Sequence, residues 1–342
     1  MKRHLFIMAV LVAGGLFFLQ RQESFSVLKH TMALNQVEVQ SPQKPIAYLS
    51  GKACENALSR PIGVMLAGDP ETRPLSGIGL ADMVVEMPVS IDGITRFMAF
   101  FQCEKPDDIG SIRSARGPFI GIAKGYNAIF AHWGGEREAL VQLKNGVVNN
   151  IDALANPHEA FYRKQGIAAP HNGFSSYDSL QKAASALGYA TELQKNAARS
   201  LTFESGTRAK PDAQAKDITI PYRRGFDVAY HYDATVKSYL RKRAGAAEID
   251  ALTKKQVQAK NILIAFTKIH PSYSQYVTVE LDGKRGNLKA FIDGKETDGF
   301  WEKNSFEAPL RFYTTQGKQL ELEPGATWVQ VVDENEKDRN NK

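Results

Sequence analysis

Two neighbouring apolar runs constrain the fold more than any other feature of this chain. They are "LADMVVEMPVS" (80–90) and "ITRFMAFFQC" (94–103), and the turn "IDG" joins them. In the second run, strict alternation would place Phe100 on one face and Phe97 and Phe101 on the other. A strand that is apolar on both faces must be covered on both sides. We therefore predict that this pair of strands lies near the centre of a sheet.

The segments around this pair alternate between strand and helix patterns. "RPIGVMLAG" and "AIFAHWGG" are short apolar runs bounded by Pro or Gly, which is typical of buried strands. Helical spacing follows "ARGP" and recurs in "EREALVQLKNG" and "SYDSLQKAASALGY". Ser175 or Ser176 is the expected N-cap of the last helix, and Gly188 its expected end. This half predicts a layered α/β domain, a mixed sheet with helices.

The second half of the chain is rich in strand patterns. Short runs such as "NILIAFTKI" and "TWVQVVD" are separated mostly by Gly and Asp turns, which favours an antiparallel sheet, either a sandwich or a partial barrel. The predicted fold class is α+β, with the layered α/β domain followed by a smaller β-rich domain. We predict a membrane anchor or signal segment (1–20), a tether (21–47), the α/β domain (48–192), a linker (193–217), the β-rich domain (218–333) and a disordered tail (334–342).

The N-terminus indicates export. "MKRH" precedes the apolar run "LFIMAVLVAGGLFFL", and the polar "QRQES" follows it. Positive residues before an apolar core fit a secretory signal or a single membrane anchor. No small-x-small cleavage site follows closely, so an uncleaved anchor is favoured over cleavage and secretion. The positive-inside rule then predicts a membrane-anchored, extracytoplasmic protein.

Composition and cysteine usage narrow the class of protein. The net charge of +6 is spread along the chain without a basic tract, which argues against nucleic-acid binding. Cys54 and Cys103 could form a disulfide in an exported protein, or they could be two separate buried thiols. The sequence lacks a Walker loop, a dinucleotide fingerprint and a helix-type metal motif, so we predict neither a metal nor a cofactor.

The segment "GSIRSARGPF" (110–119) carries the main functional signal. Its guanidinium groups, Arg113 and Arg116, suit the paired oxygens of a carboxylate or a phosphate. Ser111 and Ser114 lie beside them, and the expected helix start adds free N–H groups. We predict an anion pocket here. The alternative is internal ion pairing, with acids such as Asp82, Glu86 or Asp92.

Two histidines are further candidates. His132 ends a predicted strand before a Gly-Gly turn, where it could transfer protons. Its alternative role is a buried histidine bonded to a backbone carbonyl. His171 lies in a loop ordered by Pro170, and with Arg163 and Asn172 it would add donors to the pocket if that loop folds back.

Taken together, several motifs resemble the YerB-like family of bacterial exported proteins, a two-domain family of unknown function. The resemblance rests on "RPIGVMLAG", "GLADMVVEMPVS", "GITRFMAFFQ", "DDIGSIRSARGPF", "AIFAHWGGE" and "APHN", with "FWEKNSFEAPLRFYTTQGKQLELEPGATWVQVV" in the second half. Many relatives look like lipoproteins, whereas this chain has no cysteine near the apolar run. The family's recurring polar positions match Asp82, Glu86, Thr95, Arg96, Ser111, Arg113, Ser114, Arg116, His132, Gly134, Gly135, Arg163, His171 and Asn172.

Three hypotheses for the function follow. The first is a cell-envelope protein whose polar pocket binds an anionic or sugar-containing ligand, such as a peptidoglycan fragment. The second is an envelope enzyme in which His132 acts as general acid or base and Glu86 orients it. The third is a structural or assembly protein with no small-molecule site. Binding ranks above catalysis, because no nucleophile or metal motif is complete.

Overall fold

The computed structural model describes residues 44–194, 200–204, 217–223 and 225–336. The predicted anchor segment 1–20, most of the tether and much of the linker lie outside the described residues. Within those ranges, no helix is both long and apolar enough to cross a membrane.

In the first half, the strands are β1 (Ile62–Ala67), β2 (Met83–Pro88), β3 (Thr95–Phe101), β4 (Ile109–Gly110), β5 (Ile129–His132), β6 (Asn150–Asp152), β7 (Phe161–Arg163) and β8 (Gly173–Ser175). The helices are α1 (Gly117–Gly125), α2 (Arg137–Lys144) and α3 (Tyr177–Ala186), with short 3₁₀ turns at Pro70–Thr72, Ile78–Leu80 and Pro157–Glu159.

In the second half, the strands are β9 (Thr202–Phe203), β10 (Ile218–Ile220), β11 (Val228–Asp233), β12 (Ser238–Arg243), β13 (Ala246–Ala247), β14 (Gln258–Ala259), β15 (Asn261–Thr267), β16 (Ile269–Pro271), β17 (Val277–Val279), β18 (Lys284–Ile292), β19 (Lys295–Lys303), β20 (Arg311–Thr314), β21 (Glu321–Leu322) and β22 (Thr327–Asp333).

The local predictions for the first half are confirmed. The central strands β2 and β3 pair antiparallel, and every residue of β3 is buried. Ser176 caps α3, since its hydroxyl accepts a hydrogen bond from the Ser179 N–H. Gly146 and Gly188 have φ of +72° and +76°, the left-handed backbone that ends a helix most readily at glycine.

Ten strands from both halves form one sheet, in the order β20-β19-β18-β15-β22-β2-β3-β1-β5-β6. The junction is β22, which lies parallel to β2 on one side and to β15 on the other. The prediction of a separate sandwich or partial barrel in the second half is therefore wrong. The physical reason is that β15 and β22, which are almost wholly buried, need a paired neighbour on each edge and a layer on each face.

The fold is α+β, and its ten-stranded sheet is covered on both faces. One core joins Phe100 of β3 with Phe119 of α1 and Leu143 of α2. The other joins Phe97 of β3 with Leu180 of α3, and it includes tyrosines of the separate β10–β14 sheet.

Strand direction defines the edge at which a ligand could bind. The pairings make β1, β2, β5, β6, β15 and β22 run in one direction, while β3 and β18 run opposite. The carboxyl ends of these six strands consequently lie along one edge of the sheet. In open sheets with parallel strands, ligands bind at this edge.

Cys54 and Cys103 form a disulfide, with their Cα atoms 5.7 Å apart. Of the two sequence-based alternatives, the bridge is confirmed and the pair of separate thiols is wrong. The bond ties the segment before β1 to the residues that follow β3.

Candidate anion-binding site

The segment that carries the two arginines lies against the carboxyl end of β1. Ile112 forms a bridge with Leu66, and the Arg113 N–H donates to the Met65 carbonyl. Further along, the Ala115 N–H donates to the carbonyl of Gly134, whose φ of +62° lets the chain turn sharply after β5. The arginines are thus fixed between the ends of two parallel strands.

Arg96 and Arg113 share one carboxylate. Nη1 of Arg96 lies 2.8 Å from Oδ2 of Asp69, and Nε of Arg113 lies 3.5 Å from the same oxygen. Asp69 lies two residues after the end of β1, and Arg96 lies opposite Ala67 in the β1–β3 register. Strand ends therefore place all three side chains.

Arg116 is the N-cap residue of α1. Its Nε lies 3.8 Å from Oε2 of Glu136, and the other carboxylate oxygen of Glu136 accepts the Gly117 N–H at 2.9 Å. Its guanidinium carbon lies 4.7 Å from the ring centre of Tyr276, in a cation–π contact. We refer to Arg96, Arg113 and Arg116 as the arginine cluster.

The arginine cluster is paired with Asp69 and Glu136, and the charge of Glu71 also acts on Arg113, yet the hydrogen-bonding capacity of the cluster is not filled. The side chains of Arg96, Arg113 and Arg116 are 10%, 9% and 11% exposed. The Nε of each is buried and has no hydrogen-bond partner among the described residues. Burial lowers the pKa of Arg96 to about 10; Asp69 opposes this shift, while the charges of Arg113 and Arg116 add to it. An additional carboxylate or phosphate would raise the pKa of Arg96 towards its ordinary value, because a nearby opposite charge favours the charged guanidinium.

The loop between β7 and β8 folds back onto the arginine cluster. Arg113 donates through Nη1 to the Pro170 carbonyl at 3.1 Å and through Nη2 to Nδ1 of His171 at 2.5 Å. Arg163 donates to Oδ1 of Asn172 at 2.6 Å and lies 4.3 Å from the ring centre of Trp133. The structure therefore brings His171 into contact with Arg113 and places Asn172 and Arg163 next to them.

Glu86 lies elsewhere, in a fully buried network. Its carboxylate pairs with Arg243 at 2.5 Å and with Arg241 at 2.8 Å, and it accepts the Thr95 hydroxyl at 2.7 Å. Burial alone raises the pKa of Glu86, but the two guanidinium groups and the Thr95 hydroxyl lower it below its usual value. Glu86 stabilises two cations of the second half and does not orient His132.

His132 is fully buried and stacked on Phe130. Its Nδ1 faces the Gly134 carbonyl at 2.8 Å, and its Nε2 faces Oδ1 of Asn150 at 3.2 Å. His132 therefore has the alternative role given above, that of a buried histidine bonded to a backbone carbonyl. A ring held on both nitrogens by the protein has no free position for proton exchange with a substrate.

The remaining predicted residues serve local structure or the edge of the site. Oδ2 of Asp82 accepts the N–H groups of Gln102 and Cys103. Ser111 is buried and its carbonyl bonds to Ala67, whereas Ser114 is partly buried beside Arg113.

Three contributors were missed from the sequence. Asp69 stands in "GDPETRP", immediately after a predicted buried strand, and this position was the available signal. Glu136 and Tyr276 gave no local signal, because both reach the arginine cluster only through tertiary packing.

Fold and site together define an α+β protein with one sheet shared by two sequence regions and an arginine cluster at the carboxyl edge of that sheet. Comparison with known proteins also divides the chain into two sequence regions. Residues 49–190 match "Protein of unknown function (DUF3048) N-terminal domain", and residues 218–329 match the corresponding C-terminal domain. The chain belongs to this family, which includes the YerB protein.

One similar protein is named "Putative lipoprotein YerB", from Bacillus subtilis (strain 168). It is 31% identical over 299 residues, covering 84% of this chain and 86% of the relative. The crystal structure of YerB protein from Bacillus subtilis superposes with a TM-score of 0.75 at 29% identity, covering 84% of this chain and 97% of that one. The resemblance predicted from the sequence motifs is confirmed.

Proposed function

We propose that this chain is an exported cell-envelope protein that binds an anionic ligand at its arginine cluster. The observation that carries the proposal is the shared carboxylate: Arg96 and Arg113 have Asp69 between them, while the Nε atoms of the cluster stay buried without hydrogen bonds. Guanidinium groups bind carboxylates and phosphates through charge-assisted hydrogen bonds.

Three observations support attachment to the membrane on its outer side. The relative from Bacillus subtilis carries the name "Putative lipoprotein YerB", which supports a membrane-attached location outside the cytoplasm for a family member. The disulfide between Cys54 and Cys103 is typical of oxidising environments outside the cytoplasm. The N-terminal "MKRH" and the apolar run after it have the pattern of a signal or an anchor. We favour the anchor, with secretion after cleavage as the alternative.

The envelope supplies a ligand of suitable chemistry. Peptidoglycan fragments carry free carboxylates, and the arginine cluster lies at a sheet edge where ligands bind. We therefore propose a peptidoglycan-derived fragment as the ligand. The catalytic alternative is not proposed, because His132 is fully buried and Glu86 pairs with Arg241 and Arg243.

The test is calorimetric titration of the full-length chain, purified in detergent, with a mixture of soluble muropeptides. Arg113→Ala and Arg116→Ala should each weaken binding by about tenfold or more, as expected when a buried charged contact is truncated. Arg285→Ala is the matched control, because Arg285 is an exposed arginine that stacks on Phe300 in the second half. Unchanged affinity in both cluster variants, or an equal loss in Arg285→Ala, would contradict the proposal.

A further inference from the structure

A hairpin from the second half of the chain lies beside the arginine cluster. Strands β16 and β17 form it, and residues 272–276 connect them. Ser90 forms a bridge with Tyr276, and the Ile91 N–H donates to the Gln275 carbonyl at 2.9 Å. These contacts anchor the hairpin to the turn between β2 and β3. We call residues 269–279 the tyrosine hairpin.

The tip of the tyrosine hairpin places two aromatic rings next to Arg116. The Tyr276 ring lies against the guanidinium group, and the Tyr273 ring meets Tyr276 edge to face, with centres 5.5 Å apart and an interplanar angle of 75°. The Glu138 carboxylate, next to the Tyr273 hydroxyl, raises the pKa of Tyr273 to about 12. Tyr276 is therefore covered by Arg116 and braced by Tyr273.

Tyr273 itself is 45% exposed, and its edge-to-face contact with Tyr276 holds the ring at the surface. Because the ring is already held in place, a ligand that binds to it causes little further loss of side-chain entropy. The exposed Tyr273 ring thus forms a fixed, flat surface, and the Tyr276 ring lies between it and Arg116.

We propose that the ligand of the arginine cluster is an acidic sugar, whose ring stacks on Tyr273 while its acid group pairs with Arg116. This inference rests on the proposed function. The faces of a pyranose ring present C–H groups, which pack against an aromatic face, whereas its acid group requires cationic donors. The shared chemistry is a sugar ring that bears a carboxylate or a phosphate, and the tyrosine hairpin selects for the ring.

The experiment is an NMR titration of the full-length chain in detergent with small probes. N-acetylmuramic acid and glucosamine 6-phosphate combine a sugar with a carboxylate or a phosphate. Lactate and inorganic phosphate supply the acid alone, and N-acetylglucosamine supplies the sugar alone. At least one acidic sugar should bind about fivefold more tightly than its acid alone, the gain expected from one aromatic contact. Whichever acidic sugar gains more identifies a carboxylate or a phosphate source.

Variants at Tyr273 separate stacking from hydrogen bonding. Tyr273→Ala should lower the affinity for that acidic sugar to the level of its acid alone, with unchanged affinity for lactate and phosphate. Tyr273→Phe keeps the ring and should bind like the wild type. Acidic sugars that bind no more tightly than their acids, or a Tyr273→Ala variant that keeps the sugar preference, would overturn this inference and leave anion binding intact. Absence of binding by every acidic probe would refute the proposed function as well.

Discussion

Nη2 of Arg241 lies 2.8 Å from Oε2 of Glu86, and both side chains are fully buried although they come from different halves of the chain. Arg243 pairs with the other carboxylate oxygen, and Glu248 neutralises Arg241 through Nε at 2.6 Å. Two cations and two anions therefore face one another with side chains that are at most 7% exposed. This network joins β2 in the ten-stranded sheet to β12 in the smaller sheet.

Removing the charge of Glu86 should destabilise the whole described fold. Glu86→Gln leaves Arg241 and Arg243 buried while Glu248, the remaining anion of the network, pairs with Arg241, and breaking a buried pair in this way costs about 3–5 kcal/mol. Urea unfolding followed by circular dichroism measures the loss. Glu159→Gln changes an exposed acid and should stay within about 0.5 kcal/mol of the wild type. A cost for Glu86→Gln as small as that of the control would contradict the role of the network.

Acid should weaken the fold through two carboxyls. The pKa of Glu86 is lowered by Arg243 and Arg241 against the effect of burial, and the pKa of Asp108 is lowered by Lys164, Ser76 and Tyr162 in the same way. A carboxyl whose pKa is lower in the folded state stabilises the fold above its unfolded pKa, and that contribution is lost as the pH falls through the folded pKa.

The free energy of unfolding should therefore fall as the pH drops below about 4.5. Denaturant titrations at a series of pH values measure this slope. Asp108→Asn should reduce it, because the variant has one fewer carboxyl with a lowered pKa. An equal slope in the variant and the wild type would exclude Asp108 as a contributor.

The disulfide should stabilise the fold by restricting the unfolded chain. Cys54 and Cys103 are 49 positions apart, and closing a loop of that size contributes about 4 kcal/mol on the chain-entropy account. The double variant Cys54→Ser, Cys103→Ser should melt at a lower temperature than the oxidised wild type. Dithiothreitol should lower the Tm of the wild type towards that of the variant and leave the variant unchanged. A reductant effect on both proteins would point to another cause.

His132 should matter for stability and not for binding. His132→Ala removes the buried partner of Oδ1 of Asn150 and one of the two hydrogen bonds at the Gly134 carbonyl, which keeps the Ala115 N–H, at a cost of about 1–3 kcal/mol. Chemical denaturation measures that cost, and titration with muropeptides should give the wild-type affinity at a temperature where the variant is folded. Loss of binding with unchanged stability would return His132 to the list of functional residues.

Local structure could be predicted from the sequence because its causes are local. The alternation in β3, the Ser176 cap and the glycine after α2 depend on neighbours within a few positions. Strand pairing across the chain could not be predicted. Nothing in "TWVQVVD" indicates that Trp328 lies opposite Val84, since any buried apolar strand offers the same edge.

In the candidate site, too, some residues could be predicted from the sequence and others could not. Arg113 and Arg116 stand out because two cations beside an apolar run are unusual, and the order of the strands places them at the carboxyl edge. Their partners depend on contacts between distant segments: Glu136 begins α2, and Tyr276 belongs to the other half of the chain. The role predicted for Glu86 overlooked Arg241 and Arg243, which are more than 150 positions away in the sequence.

The position of β22 sets an order of events during synthesis. Among the described residues this strand comes last in the sequence, yet it occupies the middle of the ten-stranded sheet between β2 and β15. While the polypeptide is still emerging, β2 and β15 each present a bare apolar edge, so the nascent protein resembles an unfinished sheet that could join another chain. Export in an extended form, with assembly only after the C-terminus has crossed, would protect such a protein from aggregation on the way.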